Sequence, residues 1–274
     1  MGSVSERDIG GLRPAGLDEA IRTTAGDIAV LLRGATDTGA PVPGSRWSVG
    51  EVAAHLAQAN ELMADIAAGK SRPYGDGTPG GLAEANEVAL AAFTERGAGP
   101  LAALIVAQAD AFLEVAASRQ SAAQGELVSP MGPMSMDVLG SYLLTHMLGH
   151  GYDLARALGR PHMVSRARAQ LCLPFLMVAM DRVVSPAAAG HTARYALRLG
   201  GGARFGATFT DGAVAVDPRP PGRPDCTILM EPVAFLLVAL GRLGPWGALA
   251  RGRVLAWGRK PWLAPRFPTL FTPP

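Results

Sequence analysis

Apolar residues recur at helical spacing through most of the first 160 positions. The first such run extends from Leu17 to Arg33 and ends in a stretch rich in glycine and proline, which predicts a helix followed by a loop. Ser48-Val-Gly-Glu51 has the pattern of a capping box, in which the serine hydroxyl and the glutamate carboxylate each accept a backbone N–H at a helix start. A second helix is therefore predicted from about Val49 to Ala68.

Two further helical patterns complete this part of the chain. One covers Leu82 to Arg96, is interrupted at Gly97–Pro100, and resumes to about Ser118. The other begins after Ser135, a candidate N-cap, and extends to Leu158, where Gly159 and Pro161 close it. Four main helices joined by moderate loops predict an antiparallel four-helix bundle.

The pattern changes near residue 164. A helix over about Ser165–Val184 precedes short alternating runs typical of strands, and Asp211-Gly212 between two of them predicts a hairpin. This half is predicted to be a small α+β domain, with domain limits of 1–163 and 164–274. The remaining elements are strands at Thr192–Leu199, Arg204–Thr210, Ala213–Val216, Cys226–Met230 and Arg253–Trp257, a helix at Glu231–Leu243, and an irregular or helical close from Lys260 to Phe271.

Composition narrows the class of protein. With 274 residues, 49% of them hydrophobic, the chain can bury a sizeable core. The longest unbroken apolar stretches, Leu171–Met180 and Pro232–Leu240, are shorter than the roughly 18 residues of a membrane span. The first residues lack the apolar core of a signal peptide, so we expect a cytoplasmic protein without a membrane partner. Cys172 and Cys226 form no C-x-x-C pair, which argues against a disulfide framework or a thiolate zinc site.

Charge divides the chain unevenly. Residues 1–190 carry 14 basic and 19 acidic side chains, whereas residues 191–274 carry 11 basic and 4 acidic ones. A basic second half could attract an anionic small molecule, a nucleic acid or an acidic partner surface, although scattered solvated arginines would give the same count. Nucleic acid ranks last, because no recognition motif accompanies the charge and aromatic residues are only 6% of the chain.

Histidines supply the candidate chemistry. His146 and His150 are spaced i, i+4, which places both imidazoles on one face of a helix, and His55 on another helix could complete a three-point metal site. The spacing alone also occurs by chance, and buried histidines often only hydrogen-bond a carbonyl. His162 and His191, in predicted loops, are expected to be exposed rather than to bind metal.

Two segments carry a family resemblance. Trp47-Ser-Val-Gly-Glu-Val-Ala-Ala-His55 and His146-Met-Leu-Gly-His150-Gly-Tyr-Asp-Leu-Ala-Arg-Ala-Leu-Gly159 resemble the mycothiol-dependent maleylpyruvate isomerase N-terminal family of the DinB-like metal-binding superfamily. The C-terminal part is similar to that family's sterol-carrier-like partner domain, through Asp225–Pro232, Leu240–Leu243 and Ala250–Gly258.

The resemblance implies a divalent metal, zinc by preference, held by His55, His146 and His150. It also implies mycothiol or a related small thiol as cofactor. The maleylpyruvate isomerases usually have a glutamate where this chain has His146, whereas thiol S-transferases of the DinB-like group show three histidines. Replacing a carboxylate ligand by imidazole leaves the metal more positive, which favours a bound thiolate.

Other residues receive supporting roles. Asp153, one turn after His150, could orient that imidazole, or could simply pair with an arginine. Arg198, Arg242 and Arg253 are candidates to clamp an anionic substrate. Trp47 and Tyr152 are expected to be packing residues. Gly149 and Gly151 stand in mid-helix, where glycine costs about 1 kcal/mol relative to alanine, so a close approach to the helix is expected there.

Two functions follow. The first is a metal-dependent enzyme that activates a small thiol for S-transfer or cis–trans isomerisation of an electrophilic small molecule. The second is a non-catalytic small-molecule or lipid-binding protein, in which the metal is structural or absent. The sequence leaves the substrate, the metal and the oligomeric state open.

Overall fold

The chain packs as two separate units. The computed structural model describes residues 14–70, 72, 74–76, 78–119 and 125–272. The first unit extends to Val164 and the second begins at Ser165. The first is helical and the second contains the main sheet, so the predicted α+β class is confirmed.

Helices form the body of the first unit. α4 packs against α1 and α2, and both of these also pack against α5, which is the predicted bundle. Leu17, Ile21, Ile28 and Leu32 of the α1 pattern are fully buried. The elements are α1 (Leu17–Arg33), α2 (Val49–Ala67), α3 (Leu82–Ala92), α4 (Ala98–Arg119) and α5 (Met136–Ala157).

α4 is long and apolar enough to cross a membrane by length and composition, with a mean hydropathy of 1.6. Its sequence is no unbroken apolar stretch, because Gln108 and Asp110 interrupt it. Its buried residues, including Leu101, Ile105 and Phe112, recur at helical spacing toward α1 and α2. That one-sided burial is typical of a core helix in a bundle.

The loop predicted before α5 contains a small hairpin, β1 (Leu127–Ser129) with β2 (Gly132–Met134). Gly132 has a φ of 99°, which allows the tight reversal, and the Ser129 hydroxyl donates to the Gly132 carbonyl. Strands of three residues are too short to leave a periodic signal in the sequence.

The second unit is built on a five-stranded sheet with the order β5-β4-β3-β6-β7. β3 and β6 are parallel and the other pairs are antiparallel. Asp211 and Gly212 both have positive φ in the β4–β5 turn, as the predicted hairpin requires. The strands are β3 (Ala193–Leu199), β4 (Arg204–Thr210), β5 (Ala213–Asp217), β6 (Cys226–Met230) and β7 (Val254–Trp257).

The helices of this unit differ from the prediction. The single helix expected over Ser165–Val184 is two, α6 (Arg166–Leu171) and α7 (Leu173–Ala179), because Pro174 has no N–H to continue the ladder. The helix expected to reach Leu243 is α8 (Pro232–Ala239), followed by α9 (Pro245–Ala250). The close of the chain is a 3₁₀ helix over Pro261–Leu270.

Candidate metal centre

Ser48 and Glu51 fix the start of α2 and therefore the position of His55. The Glu51 N–H donates to the Ser48 hydroxyl at 3.3 Å, and the Ser48 N–H donates to the Glu51 carboxylate at 2.7 Å. This second bond is the main reason that the pKa of Glu51 is lowered. The capped helix carries His55 two turns later, where it is 5% exposed.

His146 and His150 lie on α5 and share one face of it, as their spacing predicts. Both are half-buried. The helix start is fixed by the Ser135 hydroxyl, which accepts from the Val138 N–H at 3.4 Å. Because α5 packs against α2, the two helices bring the three imidazoles together.

The three histidines form a tight cluster. The Nε2 atoms of His55 and His146 are 3.0 Å apart, and one ligand atom from each of the three histidines lies within 4.8 Å of the others. Nitrogen ligands around a single tetrahedral zinc are about 3.3 Å apart. The spacing therefore suits joint coordination of one ion.

Burial keeps the deepest of these imidazoles neutral. Desolvation, with a smaller contribution from the charge of His150, holds the pKa of His55 well below its usual value. Neutral imidazole is the form that offers a lone pair to a metal.

Asp153 lies beside His150. Its carboxylate oxygen is 3.5 Å from the His150 Nδ1, and Asp153 itself is 9% exposed. A carboxylate this close to the ring could help to orient it. The orienting role of Asp153 stays a prediction.

Trp47 borders the cluster. Its ring centroid is 5.0 Å from that of His55 and 6.4 Å from that of His150. The indole N–H donates to Glu87 on α3 at 2.9 Å, and Arg46 pairs with the same carboxylate at 2.7 Å. The indole is therefore held in place against two of the histidines.

Tyr142 forms another wall, one turn before His146. The two rings meet edge to face with centroids 6.5 Å apart. Burial raises the pKa of the Tyr142 phenol, which stays protonated at neutral pH. Sequence reasoning missed Tyr142 and Glu87, although Tyr142 shares the i, i+4 spacing of the histidines and could have been found from it.

Gly151 shows why a glycine follows His150 in mid-helix. A Cβ at this position would lie 2.8 Å from the Met163 sulfur and 3.2 Å from the Ile28 Cγ1. The close approach expected from the sequence is thus made by the loop that follows α5 and by α1.

We expect Gly151→Ala to destabilise the bundle by about 1–2 kcal/mol, because overpacking outweighs the gain in helix propensity. In a Met163→Ala background the same change should cost clearly less, because only the contact with Ile28 at 3.2 Å remains. Urea denaturation of the four proteins measures this coupling. An equal effect of Gly151→Ala in both backgrounds would show that Met163 is not the obstacle.

The predicted arginines all belong to the second unit. Arg198 is exposed on β3, with its guanidinium 5.9 Å from the centre of the Trp257 ring. Arg242 follows α8 and donates to the Leu240 carbonyl, while Arg253 immediately precedes β7 and is exposed. Their contact with substrate stays a prediction.

The two remaining histidines differ from each other. His162 is exposed, as predicted, and its ring lies 5.1 Å from that of Tyr152. His191 is only 7% exposed, so the expectation of an exposed loop histidine was wrong. It packs against Phe209 and bonds to Tyr195, both on strands of the sheet.

Comparisons with known proteins agree with this architecture. A family model described as the mycothiol maleylpyruvate isomerase N-terminal domain matches residues 17–155, and one described as the SCP-2 sterol transfer family matches residues 179–258. A crystal structure of the mycothiol-dependent maleylpyruvate isomerase is 14% identical, with a TM-score of 0.51 over 88% of this chain and 92% of that one. A mutant of that isomerase is 13% identical, with a TM-score of 0.55 over 93% and 95% of the two chains. Comparison with curated proteins gives no significant match.

Fold and site together define a class in which a histidine-bearing helix bundle precedes a sterol-carrier-like α+β domain. The first model spans just over half of the residues. The chain belongs to the mycothiol maleylpyruvate isomerase N-terminal domain family, as its sequence motifs indicated. The likeness to the solved structures extends the shared fold over most of the chain.

Proposed function

We propose that this protein is an enzyme that holds a divalent metal, zinc by preference, through His55, His146 and His150, and activates a small thiol against an electrophilic small molecule. The observation that carries the proposal is the cluster of three imidazoles whose ligand atoms lie within 4.8 Å of one another. Two of these ligands come from one helix and the third from a neighbouring helix, so packing of the bundle brings the set together.

The donor set fits such an ion. Imidazole nitrogen suits zinc, nickel, cobalt and iron, and three protein ligands are the number typical of catalytic rather than structural zinc. When bound, a divalent ion supplies Lewis acidity, which lowers the pKa of a coordinated thiol or water. Three neutral ligands leave the full charge of the ion available for that purpose.

The chain's own cysteines do not supply the sulfur. Cys172 and Cys226 both belong to the second unit and both are buried. Burial raises the pKa of the Cys226 thiol to about 11, so it is protonated and unreactive at neutral pH. A small thiol brought from solution is the remaining source, and mycothiol is the one that the names of the similar structures suggest.

Residues around the cluster have distinct tasks. Asp153 orients His150. Arg46 and the Trp47 indole N–H both contact the Glu87 carboxylate, which holds the indole beside His55 and His150. Trp47 and Tyr142 limit the space in which a thiol and its substrate can meet and keep water from part of it.

Two reactions are compatible with an activated thiol. In isomerisation, the thiolate adds to a conjugated double bond, the resulting single bond rotates, and expulsion of the same thiolate restores the double bond. In S-transfer, the thiolate displaces a leaving group, which departs with the electron pair of the broken bond. The first leaves the thiol concentration unchanged and the second consumes one thiol per product.

The test is a kinetic assay of zinc-loaded protein with mycothiol, using maleylpyruvate for isomerisation and an alkyl halide for displacement. Turnover should require the thiol, fall by more than about 100-fold in His55→Ala, and be unchanged in His162→Ala. Counting free thiols at the end separates the two reactions. Equal turnover without any thiol would contradict the proposal.

The role of Asp153 can be tested separately. Asp153→Asn should weaken zinc affinity by about 10–100-fold, because the His150 ring loses the charge that orients it and raises its basicity. Competition with a chelator measures the affinity. The matched control is Asp110→Asn, which changes a half-exposed carboxylate of α4 and should leave zinc affinity unchanged. Equal affinities of Asp153→Asn and the unmodified protein would make Asp153 a purely structural residue.

A binding function is the second candidate, favoured by the match of residues 179–258 to the sterol transfer family. It predicts that an apolar ligand binds the protein equally well with and without metal, and that no thiol-dependent turnover occurs. The assay above distinguishes the two.

A further inference from the structure

An open pocket lies in the second unit, and no residue of the histidine cluster contributes to it. Its volume is about 460 Å³, within the range of small-molecule sites. It is formed between the turn before β3 and the C-terminal 3₁₀ helix. Its lining includes His191, Thr192, Lys260, Trp262, Leu263 and Arg266.

The 3₁₀ helix explains why two cations share this pocket. Such a helix has three residues per turn, so side chains three apart lie on the same side. Leu263 and Arg266 obey this spacing, and Lys260, three residues earlier, caps the helix. The helix is anchored by Phe267, whose ring lies 4.8 Å from that of Tyr195.

The cations are incompletely compensated. The Lys260 ammonium is 3.6 Å from Asp225, but this carboxylate is also 3.9 Å from Arg259. Arg266 donates to the Ala187 carbonyl at a long 3.4 Å, and among the described residues no carboxylate lies within 4.0 Å of its guanidinium. The pocket therefore carries an excess of positive charge.

His191 adds a polar group to the pocket lining. Its Nε2 lies 2.9 Å from the Tyr195 hydroxyl, and in the tautomer in which that hydroxyl donates, the Nδ1 carries the proton and is a hydrogen-bond donor. Desolvation, and then the charges of Arg266 and Lys260, lower the pKa of His191, so both cations act on the same imidazole.

Trp262 supplies an apolar surface to the same pocket. It is 69% exposed, which is unusual for a tryptophan that lacks an external partner. Together with Leu263 it offers a face for a planar or apolar body, beside the two cations that would hold an acidic group.

We propose that this pocket binds an organic anion, a carboxylate carried on a planar or apolar body, with Arg266 and Lys260 pairing with the carboxylate and Trp262 contacting the body. The proposal goes beyond the thiol chemistry, because it assigns a ligand to a pocket that the histidine cluster does not use.

The test uses the full chain and two probes of one shape, benzoate and the neutral benzamide. Binding is followed by NMR at the Trp262 indole N–H, which is assigned by its absence in Trp262→Phe. Benzoate should bind with a Kd of about 1 mM and at least tenfold more tightly than benzamide. The His55→Ala protein should bind benzoate equally well. If benzoate bound at the histidine cluster instead, this substitution would weaken its binding.

Arg266→Gln should weaken benzoate binding by at least tenfold. The matched control is Arg251→Gln, because Arg251 is also exposed and, among the described residues, makes a single long hydrogen bond, at 3.5 Å, to the Gly247 carbonyl. Inorganic phosphate should not match benzoate, because it has no body for Trp262 to contact. Equal binding of benzoate and benzamide, unchanged binding in Arg266→Gln, or equal binding of phosphate would overturn the proposal.

Discussion

His146→Ala should reduce zinc affinity by more than about 100-fold, while leaving the bundle folded. Loss of residues that only orient a ligand typically costs 10–100-fold in metal affinity, and removal of a ligand exceeds that. His146 is half-buried, so alanine leaves no large cavity behind. Its Nε2 is 3.0 Å from that of His55, which suits two ligands of one ion.

Zinc content after dialysis and a competition titration with a chelator measure this effect. His162→Ala is the control, since His162 is exposed and belongs to the same unit as the cluster. It should retain about one equivalent of zinc, as the unmodified protein does. Similar zinc contents for His146→Ala and His162→Ala would remove His146 from the ligand set.

Phe112→Ala should destabilise the bundle by about 3–5 kcal/mol, because it deletes a fully buried ring and leaves a cavity. The ring lies beside Gly140 of α5, where a Cβ would be 3.6 Å from the Phe112 Cε1. Phe112 thus reaches from α4 to the helix that carries His146 and His150. The loss is a large part of the 5–15 kcal/mol that stabilises a typical domain.

Trp47 is the only tryptophan before residue 165, so its fluorescence reports on the bundle once Trp246, Trp257 and Trp262 are replaced by phenylalanine. Urea denaturation followed at this signal gives the free energy of unfolding. Val88→Ala, at a position that is 66% exposed, should change it by less than about 0.5 kcal/mol. A loss below about 1 kcal/mol for Phe112→Ala would mean that α4 does not pack in solution as described.

Local signals predicted most of the helices. The capping box at Ser48–Glu51 fixed the start of α2, and the candidate cap at Ser135 fixed that of α5. Periodicity predicted α1 to the residue and showed the apolar face that meets the other helices. These features depend on neighbours within a few positions, so the sequence alone is enough to read them.

Features that depend on tertiary contact were missed or misplaced. The helix break at Cys172 follows from Pro174, which lies inside a continuous apolar run that was interpreted as one helix. The loop around His191 was predicted to be exposed, but an aromatic residue distant in sequence, Phe209, packs against it. The spacing of His146 and His150 predicted a shared face, but only packing of α2 on α5 brings His55 to them. Trp47 was predicted as a packing residue, and its contact with two histidines required the structure.

The most direct test of the central claim is an absorption titration of cobalt-loaded protein with mycothiol. We expect a sulfur-to-cobalt charge-transfer band that saturates at one thiol per protein and is missing in His146→Ala. This result would place the metal and the thiol at the same three histidines. Cobalt that binds without producing the band, or a band of equal strength in His146→Ala, would contradict it.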